Sequence, residues 1–429
     1  MKILRAAIFH TPGNPFESGY HLAALSDGGL AIENGRIAEC GDYAEISRKN
    51  PGAEVRDLRG GFLLPGFIDT HIHFPQVRII GGLGYSLLDW LEILTLPEEA
   101  RLADVSYAAT IAREFVRNLA AHGTTTSLVF GSHFAGAVAA LFEAAECAGL
   151  RVFSGLVLAD RMLRPDLHQS PEAAYSDSET LIRTFHDKGM LRYAVTPRFA
   201  LSASEPMLEV CQALLGKNRG MHFTTHINEN MREVEEVARL FPWAADYLSV
   251  YERFTLAGRR SVFAHNVQTT GSELKRLREH DSSIAHCPSS NAALGSGILP
   301  MRRHLDAGVR FALGTDVGGG TGFGMLKESL QAYLMQRVAA EPVTLSPAQM
   351  LYLATRAGAE ALAMDDEIGD FGSGKSADYV YLRAPKGSVL EGVLENCQEP
   401  GRILSALFTL AGAECIRETA VQGDVVHEA

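Results

Sequence analysis

The sequence predicts an α/β fold. It is a (β/α)8 TIM-like barrel over residues 63–372, with a small β-sandwich subdomain built from residues 1–62 and 373–429. Three observations predict it. Eight apolar, strand-like runs alternate with helical stretches, at 63–73, 124–130, 151–158, 191–196, 221–227, 260–265, 282–287 and 309–316. The residues before the first run read as short strands with almost no helix. After about residue 368 the pattern returns to turns and strands. An open doubly wound sheet would need a Gly-rich phosphate loop after an early strand, and Gly318-Gly319-Gly320 instead follows the eighth run.

In order, Ile3–Phe9 is apolar enough for a strand. Gly29–Glu39 reads as a hairpin turning at Glu33-Asn34-Gly35, because Asn and Gly tolerate the positive φ that a tight hairpin requires. Tyr43–Arg48 is a short helix and Val55–Leu64 a further strand. Helices between the barrel runs are expected at 105–121, 135–148, 178–188, 205–215, 231–240, 272–279 and 299–306. Two more follow at 327–340 and 346–357. Residues 85–102 form an insertion above the barrel mouth, either part of a lid or a packing excursion. In the tail, 377–382, 389–395, 402–410 and 421–427 read as strands.

Composition narrows the function. With 39 Lys plus Arg against 51 Asp plus Glu, the chain offers no basic surface for nucleic acid or an anionic membrane. No apolar stretch long enough to span a bilayer and no secretion signal is read. The six cysteines are scattered without a Cys-x-x-Cys pair, so a cytoplasmic protein with reduced, mostly buried thiols is expected. Cys287 lies nearest the expected site and is read as packing rather than reactive.

The chemistry starts at LLPGFIDTHIHFPQ, residues 63–76. Asp69, His71 and His73 are spaced by two, so a strand points all three to one side, and two imidazoles there grip one metal. Later strand ends supply more ligands: His226 in the fifth run, His265 in the sixth, Asp316 in the eighth. His71, His73, His226 and Asp316 are the expected ligands of one metal, Zn2+ with iron also fitting. The middle strands carry no Lys to bridge a second ion, which leaves His265 free to orient water or an oxyanion. Glu229 follows His226 by three residues; it is read as the proton carrier, or else as a helix cap. With Asp316 and His265 holding the new oxygen, the outcome is hydrolytic deamination at an amidine-like ring carbon.

Gln76, Arg198 and Phe199 are the expected substrate contacts. An amide, a rigid guanidinium fork and a phenyl ring suit a flat purine bearing a carbonyl, although Arg198 could equally serve a structural ion pair.

On these stretches the chain resembles the amidohydrolase superfamily and, within it, the zinc-dependent guanine deaminases. The resemblance covers nearly the whole chain. It rests on PGFIDTHIHFPQ at 65–76, TPRFA at 196–200, THINEN at 225–230, HCPSSN at 286–291 and GTDVGGG at 314–320. It implies guanine as substrate, one zinc per subunit on His71, His73, His226 and Asp316, Glu229 as shuttle, His265 beside the metal, and a homodimer. Related deaminases of other purines, pterins or triazines would share the metal logic and differ in the pocket.

Overall fold

The computed structural model describes residues 1–17, 22–218 and 220–429. Its strands in chain order are β1 (Lys2–His10), β2 (Ala23–Glu33), β3 (Arg36–Asp42), β4 (Glu54–Pro65), β5 (Phe67–His73), β6 (Thr124–Phe130), β7 (Arg151–Gly155) and β8 (Val157–Leu158). They continue with β9 (Leu191–Pro197), β10 (His222–Ile227), β11 (Ser261–His265), β12 (Ser283–His286), β13 (Arg310–Leu313), β14 (Tyr379–Leu382), β15 (Ile416–Val421) and β16 (Asp424–Glu428).

From β5 to β13 the strands pair in parallel, each with the next in sequence, and the short β8 adds to β9. Helices fill the crossovers, as parallel connections require. The ring closes between its first and last strands. There Thr70 Oγ1 donates to Leu313 O at 2.8 Å, Asp316 N donates to His71 O at 2.8 Å, and Thr315 N donates to Asp69 at 3.1 Å. Inside the ring sit Ile68, Leu128, Phe153, Ala194, Val262, Ala264 and Ala285, closed off by Ala359, Leu362, Met364 and Ile368. Cys287 belongs to this cluster, so its thiol packs, and burial raises its pKa well above the ordinary value.

The other sheet has seven strands in the order β16-β15-β14-β4-β1-β2-β3. The Asn34-Gly35 turn behaves as its composition requires, with φ of 51° and 76° and Glu33 facing Arg36. The sheet curls back on itself. Ile37 N donates to Lys375 O, Ala377 N to Gly35 O, and Gly423 N to Ala377 O, so the β2–β3 hairpin reaches the β14–β16 limb. Leu4, Ile8, Ile32, Leu63, Tyr379 and Ala420 fill the space between, which gives the layering of a small sandwich.

Two expectations are corrected. The first apolar run divides at Pro65-Gly66: Leu63–Pro65 pair with Tyr379–Tyr381 in the terminal sheet, and the barrel strand begins at Phe67. In the tail, 389–395 and 402–410 are not strands but parts of helices Val389–Glu395 and Pro400–Leu410. Ser388 caps the first by accepting from Glu391 N, and Pro400 opens the second, where no N–H is needed. Leu404, Leu407 and Phe408 are buried at helical spacing against the barrel-side core. A short apolar run does not by itself separate strand from helix.

Arg151 at the start of β7 meets Asp378 at 3.1 Å, each side chain about 5% exposed, and so ties the barrel to the terminal sheet. Asp378 also accepts from Ser376 Oγ and Gln422 N. Replacing Asp378 with Ala leaves the Arg151 cation buried without its partner, and about 3–5 kcal/mol of stability is expected to be lost. Urea unfolding measures it; a midpoint within error of the wild type would show that the ion pair carries no load.

Candidate active site

The C-terminal ends of β5, β10, β11 and the turn after β13 converge at one mouth. From β5 come His71 and His73, whose Nε2 atoms lie 3.2 Å apart. His226 at the end of β10 brings its Nε2 within 3.3 Å of His73 Nε2. Asp316 Oδ1 lies 3.3 Å from His71 Nε2 and 3.1 Å from His73 Nε2. His265 joins from β11: with His71, His226 and Asp316 it offers ligand atoms that all lie within 4.8 Å of one another. Every one of these side chains is buried.

This arrangement fits a divalent cation. Tetrahedral coordination at about 2.0–2.1 Å places neighbouring donor atoms about 3.3 Å apart, close to the separations seen here. The protonation states agree. Burial, outweighing Asp316, drives His71 down to about 3, and burial lowers His226 well below its ordinary value, so both present lone pairs. His226 Nδ1 donates to Arg198 O at 2.6 Å, which fixes the tautomer with Nε2 facing inward. Three imidazole nitrogens and a carboxylate oxygen drawn together at 3.1–3.3 Å form the donor set that a divalent cation takes up. The cluster is a divalent-metal site. Phe130, at the end of β6, seals it, its ring 4.5 Å from His226 and 4.7 Å from His73 between centroids.

The backbone bends sharply to aim these groups. Asn228, His265, Asn266 and Asp316 all have φ between 48° and 72°, the left-handed region that non-glycine residues adopt at a cost. Gly314 and Gly318 provide close approach. A Cβ at 314 would fall 2.7 Å from His71 Cβ, and one at 318 would fall 2.1 Å from Gln76 Oε1. Asp69, the first member of the period-two trio, points behind the metal cluster. It accepts from the backbone of His71 and Thr315, and burial pushes its carboxyl up to about 7.

Glu229 stands beside the cluster. Ser296 Oγ donates to its Oε1 at 3.2 Å, and its Oε2 lies 3.4 Å from His265 Nε2. Burial, then the charge of Asp316, push its carboxyl up to about 8; a cation among the ligands opposes that push. Glu229 is not the helix cap. Asn230 caps helix Met231–Leu240, and Glu233 completes the capping box. The Asn-x-x-Glu pattern was readable in the sequence. His265 Nδ1 is 2.9 Å from Asn291 Oδ1, and its buried Nε2 makes no hydrogen bond among the described residues.

The pocket beside the ligands is walled by Gln76, Arg198, Phe199 and Leu294, together with Leu87, Trp90 and Leu91. The last three belong to the 85–102 insertion. It is a run of short helices with a π-helical turn at Leu91–Thr95, and it roofs the site. Arg198 does make an ion pair: its Nη1 lies 2.7 Å from Glu99 Oε2, a buried carboxylate of the same insertion. Sequence reasoning gave no role to Glu99, Ser296, Asn291 and Phe130, although Asn291 ends the HCPSSN stretch and Phe130 ends the second barrel run; Glu99 and Ser296 sit at no diagnostic spacing from the metal ligands.

Comparison with known proteins agrees with this geometry. The Amidohydrolase family profile matches residues 62–426, and an imidazolonepropionase-like composite domain of bacteria matches 28–53. The chain is 55% identical to a probable guanine deaminase of Deinococcus radiodurans, over 99% of this chain and 98% of that one. It superposes on a guanine deaminase from E. coli with a TM-score of 0.95 at 36% identity, covering 100% and 99% of the two chains. A guanine deaminase from C. acetobutylicum, solved with guanine in its active site, gives a TM-score of 0.92 at 25% identity over 99% and 100%. The chain therefore belongs to the amidohydrolase family, on the branch that holds the guanine deaminases.

Proposed function

We propose that this enzyme hydrolyses guanine to xanthine and ammonia, with zinc as its cation. One observation carries the reading: Gln76, Arg198 and Phe199 line the same small pocket as His73, His226, Asp316 and Glu229. Base-reading groups therefore stand directly beside the metal ligands, and the names of the relatives support the same substrate. Three imidazoles and one carboxylate support zinc, since borderline-soft nitrogen donors suit it, and iron is the competitor. A homodimer in a reducing cytoplasm is proposed with it; the six free cysteines support the compartment.

In this reading His71, His73, His226 and Asp316 hold the cation. A divalent cation so held supplies a water that is nucleophilic near neutral pH. Arg198 donates to the ring carbonyl, Gln76 reads the neighbouring edge, and Phe199 packs on the base. Glu229 takes a proton from the attacking water and passes it to a ring nitrogen, then relays a second to the departing amine. Burial and the charge of Asp316 favour the protonated form of Glu229 and the cation opposes them, so the group can both accept and release these protons. His265, held by Asn291, presents its Nε2 towards Glu229 and Asp316, where the new oxygen develops.

Purified, metal-loaded enzyme is expected to release ammonia from guanine and none from adenine or cytosine. Adenine lacks the carbonyl that Arg198 reads, and its amino group sits elsewhere on the ring. An ammonia assay across purines, pyrimidines, pterins and triazines decides the matter; turnover of adenine as fast as guanine would reject the assignment.

A further inference from the structure

Behind the pocket wall, Glu99 gathers the two residues that face the substrate edge. Its Oε1 accepts from Gln76 Nε2 at 2.8 Å and from Arg198 Nη1 at 2.9 Å. Its Oε2 takes Arg198 Nη1 at 2.7 Å and lies 3.3 Å from His133 Nε2. Burial alone would push this carboxyl up, but Arg198 and then His133 outweigh it and hold Glu99 ionised. An ionised carboxylate only accepts hydrogen bonds. Gln76 must therefore turn its NH2 towards Glu99. Its Oε1 is left buried with no hydrogen-bond partner among the described residues, packed so closely against the backbone of Gly318 that a Cβ there would fall 2.1 Å away. One Nη of Arg198 is committed to Glu99, which fixes the plane of the remaining donors.

We infer that Glu99 is a positioning residue for substrate recognition: it orients Gln76 as an acceptor and Arg198 as a donor, side by side, the complement of a ring carbonyl next to a ring N–H. This rests on the reading of an oxopurine substrate above. It also gives the 85–102 insertion a task beyond covering the mouth.

Binding tests it without turnover. Hypoxanthine carries the carbonyl and the N–H but no amino group to lose; purine lacks the carbonyl. Isothermal titration of the metal-loaded wild type should favour hypoxanthine over purine by about 10- to 100-fold. In Glu99→Gln the carboxamide no longer dictates which way Gln76 turns, and the preference should fall to about threefold or less. The double exchange Gln76→Glu with Glu99→Gln keeps one carboxylate and one amide in the cluster. It should regain a preference of about tenfold, because the amide at position 99 then donates and the carboxylate at position 76 accepts.

No preference in the wild type, an undiminished preference in Glu99→Gln, or equal loss of both ligands would overturn the inference; the last is what a merely structural role produces. Should Glu99→Gln fail to fold, the charge-conserving double exchange decides alone: selective binding supports the inference and unselective binding overturns it. Guanine turnover separates the two readings. A wild type that discriminates as expected yet releases no ammonia from guanine loses the activity and keeps this inference.

Discussion

Glu229→Gln is expected to leave the metal content of the purified protein near one ion per chain while guanine turnover falls by about 10²- to 10⁴-fold. The substitution keeps the shape of the side chain and the Ser296 contact, and removes only the ability to carry a proton. The carboxylate is 3.4 Å from His265 and outside the close set of His71, His73, His226 and Asp316, so the ion should not notice the change. Metal analysis and steady-state kinetics on one preparation read both quantities. If the ion is lost along with the activity, Glu229 is a ligand and the assignment of a proton carrier fails.

Removing the cation is the second large effect, and it should strike stability as well as rate. Chelation leaves buried imidazoles crowded at 3.2–3.3 Å, with Asp316 beside them, and no cation to hold the set together. Turnover should vanish. At a cation concentration a thousandfold above its Kd, about 4 kcal/mol of folding free energy disappears with the ion. Adding back zinc should restore both, and adding back iron compares the two metals in one experiment. His226→Ala should reproduce the chelated state irreversibly. A chelated enzyme with unchanged thermal midpoint and full turnover would mean that these side chains hold no functional ion.

Why the metal set was legible in the sequence and Glu99 was not has a physical explanation. His71 and His73 announce themselves because a strand repeats every two residues. His226, His265 and Asp316 each end an apolar run, and in a parallel barrel all such ends reach one rim. Gln76, Arg198 and Phe199 follow those runs by one to three residues and share the pocket wall. Glu99, Asn291 and Ser296 come from helices and loops whose direction depends on tertiary packing, and no spacing ties them to the ligands. The two tail helices failed for a related reason. VLEGVLE and RILSALF carry apolar residues dense enough for either period, and only the buried stripe at 404, 407 and 408 decides between them. The insertion was read as lying above the mouth, where Leu87, Trp90 and Leu91 wall the pocket, but which of its side chains turn inward is decided by packing that leaves no mark in composition.

β4 carries a consequence for how the protein is made. It joins the terminal sheet on one side to β1 and on the other to β14, and a single glycine later the chain enters the strand that bears His71 and His73. During synthesis on the ribosome, the β14-facing edge of β4 stays bare until Tyr379–Leu382 has emerged, long after every metal-binding side chain has been translated. Such an edge invites pairing with a neighbouring nascent chain. Soluble yield in a heterologous host should therefore respond to translation speed and chaperone supply.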